Sequence, residues 1–144
     1  MQIAARNGSI PMLSLLHSSG GELPSRGPKG ETLFHLAAYN GHVPTLRWLH
    51  AVGLLPEAVD MYGQTAAHVA ARRGELSVLQ YLHGELGVDV LDCEDFDGRK
   101  PIECIPRRGP VELQACKKYL QMLKVENMEV NELLALTNNV VENA

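Results

Sequence analysis

A chain of 144 residues with 45% hydrophobic and 21% charged content is long enough for one buried core and too short for two ordinary domains. No run approaches the ~18 to 20 apolar residues that span a bilayer, no basic and then apolar leader follows Met1, and three cysteines without a C-x-x-C pair fit a reducing cytosol or nucleus. The net charge of -4 arises wholly from Glu126, Glu129, Glu132 and Glu142 in a tail without basic residues; residues 1 to 124 are formally neutral, a balance that predicts no general affinity for nucleic acid.

From the start of the chain, Ala4-Ala5-Arg6-Asn7-Gly8 is followed 33 residues later by Ala37-Ala38-Tyr39-Asn40-Gly41, and 33 later again by Ala70-Ala71-Arg72-Arg73-Gly74. The second and third copies are longer: Gly30-Glu31-Thr32-Leu33-Phe34-His35 matches Gly63-Gln64-Thr65-Ala66-Ala67-His68 at identical offsets. A fixed period of this length is the signature of a stacked array in which each unit buries its apolar face on the next. After each closing glycine comes a segment with apolar residues three apart: Ile10, Leu13 and Leu16, then Val43, Leu46 and Leu49, then Leu76, Leu79 and Leu82. That spacing puts each trio on one helix face, and Gly20, Gly53 and Gly87 supply the stops.

Local chemistry predicts the same units. Thr32 and Thr65 are suited to cap a helix, and the alanine pairs are small enough for neighbouring helices to approach closely. A fourth unit opens with Asp97-Gly98-Arg99-Lys100-Pro101-Ile102 but has Glu103 for the histidine and Ile105-Pro106 for the alanines. Proline inside so short a helix predicts a bent or shortened closing unit. The first unit lacks the turn and the threonine-histidine segment, and Arg6, Asn7, Ser9 and Ser14 are the polar residues available to a terminal face.

These residues resemble the ankyrin repeat, whose G-x-T-P-L-H-x-A-A-x-x-G core stands here with Leu33 and Ala66 in place of the proline. The resemblance covers residues 3 to 124, as a partial unit over 3–20, full units over 28–53 and 61–87, and a degenerate cap over 96–124. It implies an all-α solenoid of helix-turn-helix units joined by protruding β-turns or hairpins. It also implies that His35 and His68 are structural, bonding around the turn to the neighbouring loop.

Beyond the units, Leu113, Cys116, Leu120, Leu123, Asn127, Val130, Leu134, Thr137 and Val141 alternate at spacings of three and four, a heptad register with polar breaks. The part to about Lys124 is expected to be the outer helix of the closing unit. Residues 125 to 144 form an acidic helix or tail with two readings: folding back on the stack or fraying, which Asn138-Asn139 favours, or pairing in a coiled-coil homodimer.

No catalytic constellation emerges. There is no G-x-S-x-G elbow, phosphate loop or dinucleotide fingerprint, so no enzyme and no cofactor are expected. Cys104 beside Glu103 reads as a packed thiol. Asp92, Glu94, Asp95 and Asp97 lack the glycine and distal glutamate of a calcium loop, and read as a solvated hairpin. No metal site is expected either, because histidines one repeat apart stand too far apart to converge at about 2 Å.

What remains is a surface. By motif position, the resemblance puts the following on the concave side and hairpin tips: Arg6 and Asn7; Lys29, Glu31, Tyr39 and Asn40; Met61, Tyr62, Gln64, Arg72 and Arg73; then Phe96, Asp97, Arg99, Arg107 and Arg108. Aromatic residues mixed with arginines are the two classes most often found as interface anchors. The expected function is that of an adaptor or scaffold: Tyr39, Tyr62 and Phe96 give apolar contact, while Arg72, Arg73 and Arg107 orient an acidic segment of a partner protein. Self-assembly through residues 125–144, and a role as the regulatory repeat segment of a larger protein, are the alternatives.

Overall fold

The structure is a computed structural model that describes residues 1–23 and 26–142. Among the described residues it holds seven α-helices, one 3-10 turn and no strands. They are α1 (Gln2–Arg6), α2 (Ile10–Ser18), α3 (Leu33–Tyr39), α4 (Val43–Ala51), α5 (Ala66–Arg73), α6 (Leu76–Gly84), a 3-10 turn at Pro101–Cys104 and α7 (Val111–Glu142). Two layers result. Helix α3 packs between α1 and α5, and α5 packs on the 3-10 turn, which makes the inner layer; α2, α4, α6 and α7 touch in that order as the outer layer.

The alanines explain the inner layer. Ala5, Ala37, Ala38, Ala70 and Ala71 are fully buried, so the short helices meet almost backbone to backbone. The outer helices add larger anchors, with Leu13, Leu46, Leu49, Leu79, Leu82 and Leu120 buried completely. In the last unit proline leaves only a four-residue 3-10 turn at Pro101–Cys104, with the chain extended at Ile105. The first unit exposes Ile3, Met12 and Leu15, so its surface is more apolar than its serines imply.

Each full unit is locked to the next by its histidine. The Thr32 backbone N–H donates to His35 Nδ1 at 3.1 Å, which leaves the ring proton on Nε2, and this donates to the Gln64 carbonyl at 2.6 Å. His68 repeats the arrangement with Thr65 and with the Arg99 carbonyl, at 3.2 and 2.9 Å. Both ring nitrogens of both residues are thereby occupied, so neither histidine is free to ligate a metal.

The acidic tail is a direct continuation of helix α7. It runs unbroken to Glu142, and only its first half packs, through Leu113, Cys116, Leu120 and Leu123. Every residue from Lys124 to Val140 is exposed. At 1.5 Å per residue this carries the helix about 28 Å past its last buried side chain. Asn143 and Ala144 lie outside the described residues. Among the described residues, no helix is long and apolar enough to cross a membrane.

Candidate functional site

The hairpin tips form a row. The Met61 N–H donates to the Lys29 carbonyl and the Phe96 N–H to the Tyr62 carbonyl, both at 3.0 Å, so each tip hangs on the one before it. Within a tip, a buried aspartate shapes the turn. Asp60 Oδ1 accepts the N–H groups of Tyr62 and Gln64 at 2.8 and 2.9 Å, and Asp95 Oδ1 accepts those of Asp97 and Arg99 at 3.0 and 2.9 Å. Burial alone raises a carboxyl pKa; at Asp95 the two N–H bonds and the Arg99 guanidinium outweigh it and hold the carboxyl below its ordinary range. The sequence predicts a solvated acid at Asp95, whereas the structure buries it, as it does Asp60. The signal was there, since both aspartates stand three residues before a turn glycine.

Behind the tips lies a groove of about 260 Å³ spanning three units, lined by Arg6, Lys29, Glu31, His35, Leu36, Tyr39, Asp60, Tyr62, Gln64, Val69 and Arg72. Tyr39 is half-buried at its centre. The Arg6 Cζ lies 5.4 Å from the Tyr39 ring centroid and the Arg73 Cζ 4.2 Å from it, so arginines from the units on either side both lean on this ring. Asn40 Nδ2 holds the Arg6 carbonyl at 2.7 Å, which ties the first unit to the second.

The sequence-predicted surface residues divide on burial. Met61, Tyr62 and Phe96 are exposed on adjacent tips, Phe96 to 74%, and Arg72, Arg73 and Arg107 are exposed as well. Gln64 is not on the surface. It is 5% exposed, and its Oε1 accepts a bond from Arg72 Nη1 at 3.2 Å, so it supports the arginine instead of meeting solvent. Arg99 is engaged within its own tip by Asp95 and Asp97, at 3.0 and 2.9 Å. Arg6, Lys29, Arg72 and Arg73 pair with no carboxylate among the described residues.

The thiols are poorly placed for chemistry. Burial raises the pKa of Cys93 and of Cys104, and pushes Cys116 up to about 11, so all three favour the unreactive thiol form.

A family model of ankyrin repeats in three copies matches residues 1–92, well over half of the chain. The chain belongs to the ankyrin-repeat family. Ankyrin repeats are in general protein–protein interaction modules, and imply protein partners for this stack. No curated protein matches the chain. The matched residues include the groove and its arginines, while the 3-10 turn and α7 lie beyond them.

Proposed function

We propose that this ankyrin stack is an adaptor or scaffold that takes an acidic segment of a partner protein across its concave groove and hairpin tips. The observation that carries the reading is a set of four cations with no carboxylate partner among the described residues: Arg6, Lys29 and Arg72 line one groove with Tyr39, and Arg73 stacks on the Tyr39 ring at its side. Exposed Met61, Tyr62 and Phe96 border it with apolar surface. Arginine and aromatic side chains together are the composition of interface anchors. The three free thiols fit action in the reducing cytosol or nucleus. Replacing Arg72 and Arg73 together by Glu should abolish partner capture from cell extract while circular dichroism stays unchanged; undiminished capture would remove the concave-face reading.

A second reading is favoured by α7. Val125, Met128, Val130, Leu133, Leu134, Leu136 and Val140 are all exposed on a helix that buries no side chain between Leu123 and Val140, which suits a homodimer joined through residues 125–144. Sedimentation of the full chain against one ending at Lys124 separates the two: loss of dimer on truncation supports self-assembly, and a monomer in both cases excludes it.

A further inference from the structure

We propose that the acidic segment taken by the concave groove is the α7 arm of a second copy of this chain, so that copies associate head to tail, arm into groove. This rests on the concave-face reading and adds to it the identity of the ligand.

Each half of such a contact carries charge that its own chain leaves unanswered. Arg6, Lys29, Arg72 and Arg73 are all exposed and pair with no carboxylate among the described residues. The groove's two acids are held by backbone: Asp60 is buried on the Tyr62 and Gln64 N–H groups, and Glu31 Oε2 accepts the Lys29 N–H at 2.9 Å. Arg73 included, four cations stand against two acids, an excess of two positive charges. The arm is the reverse, since from Val125 onward the chain carries Glu126, Glu129, Glu132 and Glu142 and no base.

Nor does the arm serve its own groove. None of its residues lines that groove, and all from Lys124 to Val140 stay exposed on an unbroken helix. At about 100° per residue, Glu126, Glu129 and Glu132 share one side of the helix with Val125, Leu133 and Leu136. That side lies about 150° round from the seam of Leu113, Cys116, Leu120 and Leu123, which is buried on the arm's own stack. The acids therefore face away from the stack that carries them, toward whatever approaches from solution.

The two surfaces match in kind. Arg73 stacks on Tyr39 and Arg72 Nη1 donates to Gln64, which leaves the other guanidinium N–H groups of both for carboxylates. Exposed Met61, Tyr62 and Phe96 on the tips offer apolar area to the exposed Val125, Leu133 and Leu136 of the arm. Pairing two arms over residues 125–144 would instead set the glutamates of both copies together with no base among them, which repulsion opposes. An arm-to-groove contact joins unlike surfaces, so a copy that lends its arm keeps its own groove open.

The test uses two full-chain variants, both altered only at exposed residues and checked by circular dichroism. Arg72→Glu with Arg73→Glu disables the groove and keeps the arm; Glu126→Gln, Glu129→Gln and Glu132→Gln together neutralise the arm and keep the groove. In sedimentation the native chain should associate reversibly at up to about 100 μM, and less as NaCl rises from about 50 to about 500 mM. Each variant alone should be a monomer, and an equimolar mixture should give a one-to-one dimer and nothing larger, because one working arm and one working groove remain. A labelled peptide of residues 125–144 should bind the groove variant at least about tenfold more weakly than the native chain, and a scrambled peptide of the same composition should bind the native chain at least about threefold more weakly. A native chain that stays monomeric, a groove variant that self-associates like the native chain, a mixture without dimer, or equal binding of the scrambled peptide would overturn the proposal. If partner capture still depends on Arg72 and Arg73 in that event, this inference falls and the adaptor reading stands; if capture ignores them too, both fall.

Discussion

At the scale of single residues, His35 sets a pH dependence whose sign follows from its surroundings. Burial holds its pKa below the ordinary 6.5, against the raising effects of the Gln64 carbonyl and Asp60. The unfolded chain therefore takes up the proton first, and stability is full above about pH 6.5 and declines as pH falls below it. Urea titrations at pH 7.5 and 5.5 should show the midpoint dropping at the lower pH, and His35→Gln should flatten the difference. Two turn glycines give a second test. Gly63 and Gly98 share a φ of 74°, yet a Cβ at Gly63 would meet the Phe96 ring at 2.5 Å, whereas one at Gly98 meets nothing within 4 Å. Gly98→Ala should cost about 1–2 kcal/mol for the left-handed backbone. Gly63→Ala should cost about 1–3 kcal/mol more for the clash, read as a difference in denaturation midpoint.

The residues whose roles were legible in the sequence act within a few positions of themselves or at one repeat's distance. Thr32 with His35, and Ala37 against Ala70, are of this kind, and the period prints them twice. At Gln64 the motif position alone does not reveal that the side chain is buried in the groove wall and accepts a bond from Arg72, eight residues on. The stacking of Arg6 and Arg73 on Tyr39 joins three units, and no spacing within one unit encodes it.

At the scale of elements, α7 is two structures in one helix. Its heptad pattern is continuous in sequence, but the outer layer of the stack ends beside Leu123, and no periodicity reveals where a neighbour stops. Stability should divide at the same point. Leu120→Ala, at a fully buried site, should cost about 2–5 kcal/mol, while Leu134→Ala, at a site 56% exposed, should leave the monomer within about 0.5 kcal/mol. Ending the chain at Lys124 should shift the melting temperature of the stack by no more than about 2 °C, because the removed residues up to Val140 bury no side chain on it. A larger shift would mean that the arm packs on the stack after all.

At the scale of the whole molecule, units that touch only their neighbours give a graded stability instead of one uniform core. Helix α5 is the best supported, held by α3, α6, α7 and the 3-10 turn, whereas α1 packs chiefly on α3 and α2. Hydrogen exchange should therefore be slowest in α5, faster in α1 and α2, and fastest beyond Lys124; equal protection in α1 and α5 would contradict the solenoid picture. The projecting arm has an effect of a different kind. A formally neutral body carries an arm of about 28 Å with four glutamates and no compensating base. In the field of another macromolecule such a shape experiences a torque, so it rotates before it collides. Toward a positively charged surface the arm leads and the groove trails, so the tail sets the orientation of first encounter.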